Sequence, residues 1–237
     1  MIKKIDILGI KLDNYTVREA ILRVETFFGN QTLNTIENIS MQMLIESESD
    51  PVVREVISSL DLAVIGEKEI MRAAGVQMMQ RLKETDEHDF SCELFKRAER
   101  NHMSVFLLGK TEEKLLETRE ELLEGFPKLV IAGEYAVENC VGNWEKIIND
   151  MNATTPDIIL SVLPTPMQEH FFMDHRDKMN ANLWYGIGES GICKKKQGVS
   201  VFFRNLMHRG RLKNSIEKYQ DREIEEAAKP KEEDEAR

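Results

Sequence analysis

The sequence lacks an apolar run of the about 20 residues that a membrane-spanning helix needs. Its opening segment, MIKKIDILGIKLD, contains two aspartates and no small-residue cleavage site follows it, so we expect no signal peptide. Cysteine is scarce, and Cys92, Cys140 and Cys193 lie far apart without a Cys-x-x-Cys motif. This spacing argues against a zinc site and favours free thiols in a cytoplasmic protein.

Basic residues are also fewer than acidic ones, and the net charge of the 237 residues is −10. Such an acidic protein is not expected to bind nucleic acids in general. The shortage is uneven, since no acidic residue occurs between Glu189 and Glu217. The basic residues in that interval are Lys194, Lys195, Lys196, Arg204, Arg209, Arg211 and Lys213. Apolar residues are mixed with them, which indicates either a membrane-surface helix or a helix docked on the domain with solvated arginines.

Short apolar runs dominate the rest of the chain, in which hydrophobic residues make up 41%. Runs such as 62–65 and 104–108 predict strands, and patterns typical of helices of about 10–15 residues lie between them. This alternation indicates βαβ units and therefore an α/β fold built on a parallel sheet. We expect an α/β domain over residues 1–192, a basic helical appendage over 193–220 and a disordered acidic tail over 221–237.

The stretch TPDIILSVLPTPMQE, residues 155–169, joins a strand buried on both faces to the start of a helix. Open α/β sheets bind ligands at the carboxyl ends of their strands, where the loop containing Pro164 and Pro166 lies. Gln168 and Glu169 are therefore candidates for a binding site. The alternative is a plain strand–helix connection in which Glu169 favours the helix N-terminus.

Carboxylates also follow the predicted strand 62–65, in the turn GEKE at 66–69. Acidic residues in the first turn of a helix commonly do no more than complement its dipole, so this turn alone is a weak sign of a site. Asp89 likewise has two interpretations, as a helix N-cap or as a site residue. Thr16 and Glu19 have the spacing of a capping box, which predicts a helix starting immediately after Thr16.

In order and spacing, six segments resemble the WecG/TagA/CpsF family of bacterial glycosyltransferases over residues 1–219. They are IKKIDILGIKLDNYTVREAI, LDLAVIGEKEI, HDFSCELFKRAERNHMSVFLLG, FPKLVIAGEY, TPDIILSVLPTPMQE and FFRNLMHRGRLKNSIEKY. The resemblance implies a Rossmann-like fold with helices on both faces of a parallel sheet and a helical C-terminal appendage. It also implies metal-independent, inverting transfer of an N-acetylmannosamine-type sugar from a UDP donor to a polyprenyl-diphosphate-linked acceptor.

The same resemblance implies which residues form the site. Gln168 and Glu169 match the family's Gln-Glu element, in the loop already singled out. Glu67 is the available acid beside the position of the family's catalytic base, so we expect Glu67 and Gln168 to be the catalytic residues. The expected substrate-binding residues are Asn38, Ser40, Asp89, Glu169, Arg204, Arg209 and Arg211.

The sequence departs from the family's pattern in several places. The Thr and Asn of the family's Thr-Pro-Asn element fall on Asn38 and Ser40, and the aspartate that serves as the base falls on Gly66. The arginine that precedes the Gly-Ser-Asp element falls on Glu84, with Arg81 nearby. These changes favour an alternative, a catalytically impaired member that binds a nucleotide sugar or a partner transferase. A membrane-surface scaffold without nucleotide affinity is a third hypothesis.

The expected partners follow from the same resemblance. They are a UDP-sugar donor, a polyprenyl-diphosphate-linked sugar acceptor and an anionic membrane surface, with no nucleic acid, no cofactor and no metal. The role is cell-surface polysaccharide synthesis, and the expected location is the cytoplasm, peripheral on the inner face of the cell membrane. The sequence is also compatible with a homo-oligomer.

Overall fold

A computed structural model describes residues 4–30, 32–141, 144–193 and 211–222. Within these ranges the strands are β1 (Lys4–Ile7), β2 (Ile10–Asp13), β3 (Asn34–Ile39), β4 (Leu62–Ile65), β5 (Ser104–Gly109), β6 (Val130–Ala136), β7 (Ile158–Val162) and β8 (Leu183–Gly186). The helices are α1 (Val17–Phe27), α2 (Met41–Glu46), α3 (Pro51–Ser59), α4 (Lys68–Ala73), α5 (Met79–Asp86), α6 (Asp89–Arg100), α7 (Glu112–Gly125), α8 (Glu145–Ala153) and α9 (Met167–His175). Residues 211–222 are also helical.

The strands form one eight-stranded sheet in the order β1-β2-β4-β3-β8-β7-β5-β6. β1 and β2 form an antiparallel hairpin, and every other neighbouring pair is parallel. Helices α1, α6 and α7 share a buried cluster with one face of the sheet, and α3, α8 and α9 share another with the opposite face. The predicted α/β fold, with helices on both faces of a largely parallel sheet, is confirmed.

Local capping signals in the sequence explain where several helices begin. The Thr16 hydroxyl accepts a hydrogen bond from the Glu19 backbone N–H, and the Glu19 carboxylate accepts one from the Thr16 backbone N–H. The predicted capping box is therefore confirmed. Asp50 caps α3 by accepting from the Val52 backbone N–H at 2.9 Å, and Pro51 occupies the first turn, where its missing N–H costs nothing.

Strand β3 is longer than its apolar pattern predicts. The pattern indicates a strand over 32–36, whereas β3 continues to Ile39 with all six of its residues buried. The extension contains Glu37 and Asn38, which are polar and so read as a loop in the sequence. They remain buried because each finds polar partners on the neighbouring strand β8.

Cys92 at the start of α6 and Cys193 beyond β8 are joined by a disulfide, with their Cα atoms 5.6 Å apart. The prediction of free thiols is therefore wrong for this pair. The two cysteines are 101 residues apart in sequence, so their spacing carries no sign of pairing. The start of α6 and the chain after β8 become neighbours only when the sheet assembles.

The helix at 211–222 packs on the side of the domain that contains the β1–β2 hairpin. Leu212 is 3% exposed, and Ile216 and Tyr219 pack against the same buried cluster. At the far end of the helix, the Arg222 guanidinium lies 3.1 Å from the Glu48 carboxylate. No helix within the described ranges is both long enough and apolar enough to cross a bilayer.

Candidate active site

A cleft with an empty volume of about 470 Å³ lies at the carboxyl ends of β3 and β4. Its polar lining residues are Asp13, Tyr15, Asn38, Arg81, Glu84, Thr85, His88 and Ser91. Gly66 also lines the cleft, and a Cβ added there would lie 3.3 Å from the Asn38 Cβ, so the turn after β4 packs closely on the end of β3. Ligands of parallel sheets bind at such strand ends.

Arg81 is a positively charged residue that lines the cleft. Its side chain is only 6% exposed, and one of its terminal nitrogens donates to the Glu84 carboxylate at 2.7 Å. Its Nε is buried and has no hydrogen-bond partner among the described residues. The Arg81 Nε is thus a buried donor whose hydrogen bond is unmade, in a side chain that lines the cleft.

Glu84, where the family's arginine is expected, acts as the partner that holds Arg81. Its second hydrogen bond is accepted from the backbone N–H of Val17 at 3.4 Å, at the start of α1. The Gln80 side chain adds a third at 2.9 Å. Glu84 thus joins α5 to α1 and fixes Arg81 at the side of the cleft.

A buried tyrosine on the neighbouring strand β8 holds Asn38 in place. The Tyr185 hydroxyl lies 3.1 Å from the Asn38 side-chain oxygen, to which it donates, and it also shares a hydrogen bond with the Ser91 hydroxyl. Burial raises the pKa of the Tyr185 hydroxyl far above its usual range, so the group remains a neutral donor. Asn38 of β3 and Ser91 of α6, which both line the cleft, are therefore linked by hydrogen bonds through Tyr185.

Glu67 follows Gly66 and lies beside the start of α2. Its carboxylate accepts a hydrogen bond from the Met41 backbone N–H at 3.1 Å, which places the acid at a helix N-terminus. Ser40 is the N-cap of the same helix and accepts from the Met43 backbone N–H at 3.1 Å. Glu67 and Ser40 therefore converge on the N-terminus of α2.

Asp89 is the first residue of α6, next to the cleft residue His88. His88 has a positive φ of 54°, and the left-handed turn ends the connection from α5. Burial raises the pKa of the Asp89 carboxyl, and the carboxylates of Glu87 and Glu84 raise it further. Asp89 lies close to the cleft in the chain but outside its lining.

Gln168 and Glu169 lie on the other face of the sheet from Asn38. Both are buried, with 1% and 0% of their surface exposed, at the start of α9. They meet Glu37, whose side chain points away from that of Asn38 because successive strand residues alternate between faces. The Gln42 side chain of α2 reaches the Thr165 carbonyl at 3.4 Å, so the helix that holds Glu67 also contacts the loop before Gln168.

The predicted appendage arginines are only partly described. Arg204 and Arg209 lie outside the described residues, and Arg211 is exposed at the first described position of the C-terminal helix. Within the described ranges, no group of three or more His, Cys, Asp or Glu side chains is arranged to hold a metal ion.

Sequence reasoning missed Tyr15, His88 and Ser91, which line the cleft, and Glu37, which meets Gln168. The first three carry no local signature, since each is an ordinary residue of a loop or helix. Glu37 is a polar residue after a short predicted strand, where a loop is the usual interpretation, so the sequence carried no signal for it either.

Comparison with known proteins identifies relatives of the chain. A model of the "Glycosyl transferase WecG/TagA/CpsF family" matches residues 5–191. Relatives from Staphylococcus aureus strains NCTC 8325 / PS 47 and COL are 26% identical over 213 residues, which cover 86% of this chain and 81% of theirs. Each is named as an N-acetylglucosaminyldiphosphoundecaprenol N-acetyl-beta-D-mannosaminyltransferase. The family match covers most of the α/β domain and the whole cleft, and the chain therefore belongs to the WecG/TagA/CpsF family of glycosyltransferases.

Proposed function

We propose that this glycosyltransferase moves an N-acetylmannosamine-type sugar from a UDP donor to a polyprenyl-diphosphate-linked acceptor in cell-surface polysaccharide synthesis. The relatives' name supports both the sugar and the lipid-linked acceptor. The observation that carries the proposal is Arg81, which lines the cleft at the strand ends and whose Nε has no hydrogen-bond partner among the described residues. A diphosphate is the part of the substrates that such a group suits best.

In the proposed reaction the acceptor hydroxyl attacks the anomeric carbon of the donor sugar from the face opposite the UDP. A bond forms between the acceptor oxygen and the anomeric carbon as the bond to UDP breaks, so the configuration inverts. Glu67 takes the proton from the hydroxyl as the general base. Arg81 stabilises the charge that develops on the departing diphosphate, and no metal is needed for that role.

The remaining residues bind and orient the substrates. Gln168 is buried at the start of α9, so in this proposal it orients the reacting groups through the preceding loop after β7. Asn38, held by Tyr185, offers its amide to the donor. Ser40, Asp89 and Glu169 complete the substrate-binding set, to which the appendage contributes Arg204, Arg209 and Arg211. The same appendage holds the enzyme on the cytoplasmic membrane face, where a lipid-linked acceptor is found.

The assay for this function uses UDP-N-acetylmannosamine and a short-chain polyprenyl-diphosphate N-acetylglucosamine, with the anomeric configuration of the product read by NMR. Glu67→Gln is expected to lower kcat by about 100-fold or more while leaving UDP affinity unchanged, because the base acts in the transfer step. Glu69→Gln, in the same turn, is the matched control. Full turnover in Glu67→Gln would show that Glu67 is not the general base.

A second candidate function is a non-catalytic relative that binds a nucleotide sugar or a partner transferase. It is favoured by Gly66, which lines the cleft at the position of the family's aspartate, and by Glu84, at the position of its arginine. Calorimetric titration with UDP, run beside the transfer assay, separates the candidates. Binding without turnover under all donor and acceptor combinations supports the second.

A further inference from the structure

Glu37 is a carboxylic acid in the middle of a parallel sheet. It is 0% exposed, although Glu is almost never fully buried unless it is paired. Its carboxyl accepts a hydrogen bond from the Trp184 indole N–H at 3.1 Å. The described residues provide no arginine or lysine partner for this carboxyl. Something other than a salt bridge must therefore account for its burial.

A glycine on the neighbouring strand creates the space in which Glu37 meets Gln168. Gly186 is the register partner of Glu37 in β8. A Cβ added to Gly186 would lie 2.5 Å from the Gln168 Nε2 and 2.9 Å from the Glu37 Cγ, so both side chains occupy the volume that the glycine leaves. The Gln168 amide lies beside the Glu37 carboxyl there, close enough to lower its pKa.

The surroundings of this contact hold more acceptors than donors. The Glu37 Oε2, the Gln168 Oε1 and the Glu169 Oε2 are all buried without a hydrogen-bond partner among the described residues. Two ionised carboxylates would leave all three oxygens unsatisfied and would repel one another. One carboxyl proton supplies the missing donor and removes one of the two charges.

We propose that Glu37 is a positioning residue for sugar transfer, which in its protonated form holds the Gln168 side chain in its working orientation. The inference rests on the role given to Gln168 in the proposed function. Ionisation of Glu37 removes the proton donor and leaves two buried negative charges side by side. Gln168 then turns its amide N–H toward the Glu37 carboxylate and leaves its working orientation, and transfer slows.

The charges around Glu37 place this ionisation in an accessible pH range. Burial and, after it, the Glu169 carboxylate raise the pKa of Glu37 to about 8, against the hydrogen bond from Trp184 and the nearby Gln168 amide. Burial also raises the pKa of Glu169, while the Thr165 hydroxyl lowers it by donating at 2.9 Å. The pair therefore keeps one proton at neutral pH, and the proposal places it on Glu37.

Few other titratable groups face this pair within the described structure. The neighbouring strands present Trp184 and Gly186 from β8 and Ala63 from β4, none of which titrates in this range. The His170–Asp50 pair, 2.8 Å apart, lies beside Glu169 and acts on it from α9 and the start of α3. Glu169 is thus the charge to which Glu37 responds.

The test compares kcat and KM between pH 6 and 9.5 for the wild type, Glu37→Gln and Glu37→Leu. The wild-type kcat is expected to fall as pH rises through about 8, by about tenfold per pH unit. Glu37→Leu should lower kcat by at least about tenfold at pH 7, because Gln168 loses its partner. Glu37→Gln, a neutral isostere with no proton to lose, should restore most of that loss and lack the alkaline fall. The proposal is overturned if Glu37→Gln keeps the wild-type alkaline fall or is as impaired as Glu37→Leu.

A second measurement does not depend on activity. The folded pKa of Glu37 lies above its ordinary value of 4.5, so its stabilising contribution is complete below pH 4.5 and is lost as pH rises to about 8. Urea denaturation should therefore show wild-type stability falling across this window, with a smaller fall in Glu37→Gln. If the free energy of unfolding falls equally with pH in the wild type and in Glu37→Gln, Glu37 is not protonated in the folded protein. If the wild type transfers no sugar, the proposed function is refuted, and the positioning role of Glu37 is refuted with it. A different pH dependence of unfolding in the two proteins would still support a protonated Glu37.

Discussion

Arg81 shows how one residue changes the interpretation of the site. Read along the sequence, the position of the family's arginine is occupied by Glu84, which removes a positive charge from the site. In the structure, Arg81 lies one helical turn earlier on the same face of α5, and Glu84 is its ion-pair partner at 2.7 Å. The positive charge is present in the cleft after all, because residues three apart on a helix are neighbours.

Replacing this arginine tests its role at the cleft. Arg81→Gln should weaken UDP binding by about 10- to 100-fold, or about 1.4–2.7 kcal/mol, because a charge-assisted hydrogen bond to the diphosphate is lost. Isothermal titration with UDP measures the change. Arg72→Gln is the control, since Arg72 also pairs with a glutamate three residues away but is 54% exposed. Equal affinities in the two variants would show that Arg81 does not contact the nucleotide.

At the scale of secondary structure, the described part of the C-terminal helix is attached to the domain by one narrow apolar stripe and by the Arg222–Glu48 ion pair at its end. Leu212, Ile216 and Tyr219 recur at helical spacing and contact the buried cluster under the β1–β2 hairpin. The faces carrying Lys213 and Glu217 are exposed. Such a helix depends on a small apolar contact, since an isolated helix of this length is marginal in water.

Shortening the most buried side chain of that stripe should release the helix. Leu212→Ala is expected to cost about 2–4 kcal/mol of the helix's docking free energy, because a well-buried leucine is replaced by a methyl group and a cavity. Hydrogen exchange of amides 211–222 should then accelerate, while exchange in the sheet remains slow. Lys213→Ala, at a position 79% exposed, should change neither. Unchanged protection in Leu212→Ala would mean that other contacts hold this helix.

For the whole molecule, the distribution of charge matters more than its sum. The net charge is −10, yet the interval between Glu189 and Glu217 is exclusively basic among its charged residues. Long-range repulsion from the acidic domain is screened beyond about 8–10 Å at physiological salt. A basic segment can therefore bind an anionic membrane although the protein as a whole is acidic.

Removing part of that basic charge tests membrane association. A triple variant tests this, with Gln in place of Lys194, Lys195 and Lys196. It should bind phosphatidylglycerol vesicles about 100-fold more weakly, because each lysine near an anionic surface contributes about 1 kcal/mol. Cosedimentation with the vesicles at 0.1 M salt measures this affinity. The same change at Lys96, Lys114 and Lys128 alters the net charge equally and should have little effect. An equal loss in both triple variants would show that binding follows total charge.

Much of the fold was accessible from local patterns. The strand at 62–65, the capping box at Thr16 and the helix after Pro166 follow from apolar runs and turn chemistry, which act over a few residues. The polar end of β3 was not accessible, since Glu37 and Asn38 resemble a loop until their partners are known. For the site, the sequence pointed to Asn38 and Gln168 but did not show that they lie on opposite faces of the sheet.

The sequence by itself determined the α/β class, the family and the charge asymmetry, because these depend on spacing and composition along the chain. Tertiary structure alone decided which polar groups meet. It paired Cys92 with Cys193 and brought Glu37, Gln168 and Gly186 together from three separate segments. The physical reason is that burial, hydrogen-bond satisfaction and pKa depend on through-space neighbours, which a parallel sheet assembles from residues more than a hundred positions apart.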